Sequence, residues 1–236
     1  MSRIVLVHGS GHGAWCWEAV LPHLRAAGHD PVAVDMPGRG ANALPLEEAT
    51  LDDFADACLA AAGDGAVLVG HSAGGYAITA AAQARPDLVD RLIYVCAFVP
   101  EPGTPLSGMR RLMNPPPLSG AIRKAPDGRS YTVDPEQAPA LFYNDLPEAE
   151  ARAATARLCP EAVLPQETAL PATDRAEALP RRYILCERDG TILPHAQEAM
   201  TSGWPAAHVT RMDTSHSPFL ADPEGLARNI LRHLDD

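Results

Sequence analysis

The sequence predicts an α/β fold, a mainly parallel sheet of about six strands flanked by helices, with an inserted cap. Three observations carry this reading. Apolar runs of strand length recur between helical stretches, and they are continuous rather than alternating, as strands buried on both faces require. The rhythm breaks once, from residue 100 to about 180. The third run leads straight into Gly70-His71-Ser72-Ala73-Gly74, a glycine-flanked serine between a strand and a helix.

The elements follow in order. Ile4-Val5-Leu6-Val7 and Pro31-Val32-Ala33-Val34 read as the first two strands. Thr50 with Asp53 forms a capping box ahead of Phe54-Ala55 and Ala57-Cys58, and Gly63 stops that helix. Ala66-Val67-Leu68-Val69 is the third strand, the alanine-rich stretch behind Ser72 a helix, and Leu92 to Val95 the fourth strand. Prolines then crowd at 100, 102, 105 and 115–117, and a hairpin turns at Pro126-Asp127-Gly128. A helix is expected from Pro147 through Leu158, and Leu141-Phe142-Tyr143 adds apolar content for packing. Tyr183-Ile184-Leu185-Cys186 and the residues around Val209 complete the sheet, and Pro223 opens a last helix running through Leu234. The division expected is a core of residues 1–99 and 181–236 with a cap insertion at 100–180, and no linker or repeat.

Composition narrows the function classes. The chain has 236 residues, 46% hydrophobic and 21% charged, within the range of an ordinary globular protein. A formal net charge of -11 disfavours nucleic acid and anionic membrane as partners. No apolar run approaches the ~18 residues of a membrane span. The start, Met1-Ser2-Arg3, lacks the apolar core of a secretory signal, so a cytoplasmic location is expected. Cys16, Cys58, Cys96, Cys159 and Cys186 are scattered without a C-x-x-C pair, which speaks against a metal site or a disulfide framework.

The strand–turn–helix setting makes Ser72 a candidate nucleophile, with Gly70 and Gly74 admitting a turn too tight for side chains against neighbouring strands. A serine hydroxyl needs a base and an orienting acid, in the chain order Ser, acid, His. His216, in Asp213-Thr214-Ser215-His216-Ser217-Pro218, follows the last strand. Asp189, in Glu187-Arg188-Asp189-Gly190, follows the preceding one, and Asp213 and Glu187 are competing acids. The oxyanion hole expected is the backbone N–H of Ala73 and that of Ser10, in His8-Gly9-Ser10-Gly11-His12-Gly13. Gly9, Gly11 and Gly13 would let that loop approach substrate. His8 and His12 read as braces of the loop, and His71 as pointing away from substrate.

Val7-His8-Gly9, His12-Gly13-Ala14-Trp15-Cys16-Trp17, Gly28-His29 and Asp35-Met36-Pro37-Gly38-Arg39-Gly40 resemble the plant methylesterase and hydroxynitrile lyase family of α/β hydrolases. The bacterial relatives of that family include carboxylesterases acting on pyrethroid-type esters. The resemblance continues through Gly70–Gly74, Asp189 with Ile192-Leu193-Pro194 and Gln197, and His216-Ser217-Pro218-Phe219. It implies the α/β-hydrolase fold and one of two chemistries. The lyases carry a threonine after the first-strand histidine and a lysine after the catalytic histidine, whose cation holds departing cyanide. Here those positions are Gly9 and Ser217, and the single lysine, Lys124, lies in the cap hairpin. Ester hydrolysis is therefore expected, and Gly9→Thr with Ser217→Lys is the minimum change expected to introduce lyase activity.

The expected activity is a serine carboxylesterase hydrolysing a small to medium apolar or aromatic ester through an acyl-enzyme on Ser72, with no cofactor and no metal. Gly9, Met109, Leu112, Met113, Leu118, Leu141, Phe142 and Ser217 are the expected substrate contacts. The partner expected is a small-molecule ester, and a homodimer is compatible with the sequence. The alternatives are hydroxynitrile lyase-like activity, acyl transfer or perhydrolysis on the same triad, and a non-catalytic binding protein. Haloalkane dehalogenase and epoxide hydrolase chemistry need a carboxylate nucleophile where this chain has Ser72.

Overall fold

The computed structural model describes residues 1–40 and 42–235, with Asp235 described by its backbone alone. Six strands form one sheet: β1 (Arg3–Val7), β2 (Asp30–Val34), β3 (Ala66–His71), β4 (Val89–Val95), β8 (Arg181–Cys186) and β9 (Val209–Met212). Their spatial order is β2-β1-β3-β4-β8-β9, and every pairing is parallel. The continuous apolar runs follow from this topology, because the pleat sends alternate residues into two separate cores. Val5, Val7, Leu68, Leu92 and Tyr94 enter the one packed by α2 (Leu51–Ala62) and α3 (Gly74–Ala84). Ile4, Leu6, Val67, Val69, Ile93 and Val95 enter the other, which α1 (Leu21–Ala26) and α11 (Pro223–Asp235) help to close.

The capping box forms at the head of α2. Thr50 Oγ1 accepts from the Asp53 amide at 3.1 Å, and Asp53 Oδ2 accepts from the Thr50 amide at 2.9 Å. Such a cap contributes about 1 kcal/mol.

Between β4 and β8 the chain leaves the sheet. It forms α4 (Leu106–Met109), the hairpin β5 (Ile122–Lys124) and β6 (Ser130–Val133), α5 (Ala138–Phe142) and α6 (Glu148–Thr155). A two-residue strand β7 (Glu161–Ala162) then joins β6, followed by α7 (Leu164–Glu167) and α8 (Asp174–Glu177). Past β8 come α9 (Pro194–Thr201) and, ahead of α11, α10 (Pro218–Ala221). Ala138, Phe142, Tyr143, Ala151 and Ala154 give the β4–β8 segment its own apolar cluster.

Polar contacts pin this segment onto the loops at the carboxyl ends of the strands. Cys159 N–H donates to Gly11 O at 2.9 Å, Thr191 Oγ1 to Leu141 O at 2.8 Å, and Asn144 Nδ2 to Arg188 O at 3.0 Å. Arg39 and Glu161 pair at 2.6 Å with side chains 3% and 2% exposed, and Glu161 Oε2 also accepts the Gly11 amide at 3.0 Å. A buried ion pair of this kind fixes geometry rather than adding much stability. Among the described residues no helix is long and apolar enough to cross a membrane.

Candidate active site

Ser72 stands between β3 and α3 at φ 53°, a left-handed conformation that costs a residue with a β-carbon about 1–3 kcal/mol. Hydrogen bonds hold it there. Its amide donates to Val95 O at 3.2 Å, and its carbonyl accepts from Gly75 N and Phe98 N, each at 3.1 Å. Close packing explains the glycines. A β-carbon on Gly74 would lie 2.9 Å from the Val7 and His8 carbonyls of the neighbouring strand end. One on Gly70 would meet α3 instead, at 2.7 Å from Gly74 O, which corrects the expectation of a clash with a neighbouring strand. The turn delivers Ser72 to the positive end of α3.

His216 and Asp189 come together from the loops after β9 and β8. His216 Nδ1 lies 2.7 Å from Asp189 Oδ2, with the side chains 1% and 0% exposed. Asp189 Oδ1 accepts from the Thr191 and Ile192 amides at 2.7 and 2.8 Å, and Gln197 Nε2 donates to Oδ2 at 3.1 Å. These bonds hold the carboxylate as an acceptor facing the imidazole, so Nδ1 carries the proton and Nε2 keeps its lone pair. Asp213 is 77% exposed and paired with Arg188, while Glu187 pairs with Arg211 at the surface. Neither touches His216.

The base is braced from behind. His71 Nε2 donates to His216 O at 2.7 Å, and the Cys96 thiol to the same carbonyl at 3.5 Å. His71, Cys96 and His216 bring ligating atoms within 4.8 Å of one another, while His71 Nε2 and the Cys96 thiol bond the His216 carbonyl. Phe142 stacks on the His216 ring at 5.7 Å between centroids. Asp145 reaches from the same segment, its Oδ2 accepting the Ser215 amide at 2.6 Å. One short stretch, 141–145, thus clasps both the acid loop and the base loop.

Three other histidines support the first-strand loop and the base. His8 Nδ1 donates to Gly9 O at 2.9 Å while Nε2 accepts from Met36 N at 3.1 Å. His12 Nδ1 donates to Ser10 O at 3.0 Å while Nε2 accepts from the Tyr143 hydroxyl at 2.9 Å. Burial pushes His12 down to about 3 and drives His8 and His71 well below their ordinary value, and the Arg39 guanidinium adds to the effect at His8 and His12. In the unfolded chain these rings bind protons below pH ~6.5. Because the unfolded state then holds more protons, stability falls as pH drops through that range. The melting temperature is accordingly expected to decrease steadily from pH 7 to pH 5, and a flat profile there would contradict the neutral assignment.

Ser72, Ser10 and Ala73 line one cavity of about 490 Å³. Neither the Ser10 nor the Ala73 amide donates to another described residue. The Ser72 hydroxyl likewise has no hydrogen-bond partner among the described residues, and bonds of this kind commonly tighten only around substrate. Met113, Leu118 and Phe142 line the cavity.

Met109, Leu112 and Leu141 do not, and the expectation for them is corrected. Met109 is fully buried in the main core, Leu112 packs against that core, and Leu141 packs in the α5–α6 cluster. Ser217 is also outside the lining, fully buried with its amide on Ser215 Oγ at 3.3 Å. Gly9 borders a smaller adjoining cavity of about 310 Å³. Of the loop glycines only Gly9 abuts the nucleophile, since Gly11 faces Leu158 and Cys159, and Gly13 faces Trp15 and Asp35. The polar residues not foreseen are Arg110, Tyr131, Gln166 and Thr191 in the lining and Asp145 behind the base. They lie in stretches without periodicity, so only the three-dimensional fold brings them to the site.

Residues 4–229 match the alpha/beta hydrolase family. The chain is 31% identical to methylesterase 18 of Arabidopsis thaliana, over 98% of this chain and 96% of that protein. It is 29% identical to methyl jasmonate esterase 1 of Vitis vinifera, over 94% and 92% of the two chains. The structure of a pyrethroid hydrolase from Sphingobium faniae JZ-2 superimposes with a TM-score of 0.86 at 28% identity, covering 99% of this chain and 97% of that one. Fold and relatives place the chain among the carboxylic ester hydrolases. It belongs to the alpha/beta hydrolase family, beside the plant methylesterases and their bacterial esterase relatives.

Proposed function

We propose that the protein is a cofactor-independent serine carboxylesterase acting on a small to medium ester with an apolar or aromatic body. The observations that carry this reading are the buried His216–Asp189 pair and a left-handed Ser72 that lines a cavity together with Ser10 and Ala73, whose amides bond no described residue. Ser72 Oγ attacks the ester carbonyl as His216 Nε2 takes its proton, and Asp189 steadies the imidazolium. The Ser10 and Ala73 amides hold the oxyanion. His216 then gives its proton to the departing alkoxide, leaving an acyl-enzyme and a free alcohol. Water, deprotonated by the same histidine, releases the acid and restores Ser72. The segment 100–180 acts as the cap whose Met113, Leu118 and Phe142 surround the apolar part of the substrate. The names of the relatives, methylesterases and a pyrethroid hydrolase, support an ester of this kind.

A lyase reading is disfavoured by Gly9 and Ser217. A β-carbon on Gly9 would sit 2.6 Å from Ser72 Cβ and 2.9 Å from His71 Nδ1. A threonine there would therefore displace the nucleophile, and a lysine in place of the fully buried Ser217 has no cavity to enter. The double replacement expected from sequence to introduce lyase activity is thus withdrawn. The assay pairs p-nitrophenyl butyrate with mandelonitrile. Hydrolysis of the first and no cyanide release above background from the second is expected. Rapid cyanide release would give the lyase reading precedence.

A further inference from the structure

Arg110 directly follows α4 and lines the cavity that holds Ser72. It is half-buried. Its neighbour Arg111 is paired with Glu101, and Arg39, deeper in, with Glu161. The Arg110 guanidinium has neither an ion pair nor a hydrogen bond among the described residues. The group that feels its charge is the Tyr131 phenol, which lines the same cavity. Met113, Leu118, Val133 and Phe142 supply apolar wall, and Ser10, Gln166 and Thr191 add neutral polar groups, so no carboxylate lines the cavity beside it. A guanidinium cannot shed its proton to escape such a setting, so its charge is compensated only by an anion or by water. Its planar fork is matched to a carboxylate.

Resting on the esterase reading, we propose that the substrate carries a carboxylate at the end remote from the scissile carbonyl, and that Arg110 binds it. The ester is then an apolar body with one anionic terminus, such as a half-ester of a dicarboxylic acid or the ester of a carboxyl-bearing phenol. The net charge of -11 gives anions no general attraction to this protein. Any preference for an anionic ester is therefore local.

The test compares matched pairs in the full-length protein. One pair is p-nitrophenyl hemiglutarate against p-nitrophenyl hexanoate, with the carboxylate on the acyl part. The other is 4-acetoxybenzoate against 4-methylphenyl acetate, with it on the alcohol part. The expected result is a kcat/KM ratio favouring the anionic member of at least one pair by about 10- to 100-fold, the range of a charged hydrogen bond. Arg110→Ala is expected to collapse that ratio, and Arg110→Lys to retain part of it, since Lys keeps the charge and loses the fork. Each ratio is taken within one variant, so a general loss of activity cancels. Neutral esters favoured in both pairs, or a ratio unmoved by Arg110→Ala, overturns the proposal and leaves the esterase reading standing. No turnover of any ester overturns both.

Discussion

Ser72→Ala is expected to lower ester turnover by ~10⁶-fold, the scale on which a triad acting as a unit fails when its nucleophile is removed. The change should leave the fold intact. Alanine keeps the β-carbon at φ 53° and removes only a hydroxyl that no other described residue engages. The anchoring bonds from Val95, Phe98 and Gly75 are to the backbone and survive. Circular dichroism and the melting temperature check folding, and p-nitrophenyl butyrate hydrolysis checks the rate. A folded variant retaining a tenth of the activity would show that the hydroxyl is not the attacking group.

Asp189→Asn is expected to reduce turnover by ~10⁴-fold with folding preserved. The amide oxygen can still accept from the Thr191 and Ile192 amides, where Asp189 Oδ1 now lies. Its NH₂ would then face both the His216 Nδ1–H and Gln197 Nε2, donor against donor. The imidazole relieves this by moving its proton to Nε2, which leaves Ser72 without a base. Asp213→Asn serves as the comparison, because that side chain meets Arg188 and solvent. It is expected to change kcat less than threefold, about the ±0.5 kcal/mol of an ordinary surface substitution. If the two variants behave the other way round, the acid is Asp213.

What the sequence made legible follows from how much local pattern each element carries. Ile4–Val7, Ala66–Val69 and Leu92–Val95 are unbroken apolar runs, so strands and parallel pairing could be read from them. Thr50 and Asp53 announced their helix start through a capping box that the structure contains. By contrast, α4, α7, α8 and α10 have four residues each and β7 has two, too short for any period to register. The same limit applies to the cavity wall. Met109 and Met113 look equivalent in sequence and both are buried in the main core, but only Met113 also lines the cavity that holds Ser72. Arg110 sits between them as one arginine of many, and the sequence does not show that Arg111 is paired with Glu101 and Arg39 with Glu161 while the Arg110 side chain lines the cavity.

The resemblance in Asp189, Gln197 and His216 marked the acid, but not why Asp189 rather than Asp213 fills the role. The answer is burial. The short turn after β8 seats Asp189 against Nδ1 of the buried His216 ring, whereas Asp213 leaves its strand end toward Arg188 and water.

The central claim is that Ser72 forms the covalent intermediate. It is tested most directly by treating the native protein with an alkyl fluorophosphonate and mapping the adduct by peptide mass spectrometry. One adduct is expected, on Ser72, formed in parallel with loss of esterase activity and prevented by Ser72→Ala. An adduct on another residue, or full inactivation with Ser72 unmodified, would contradict it.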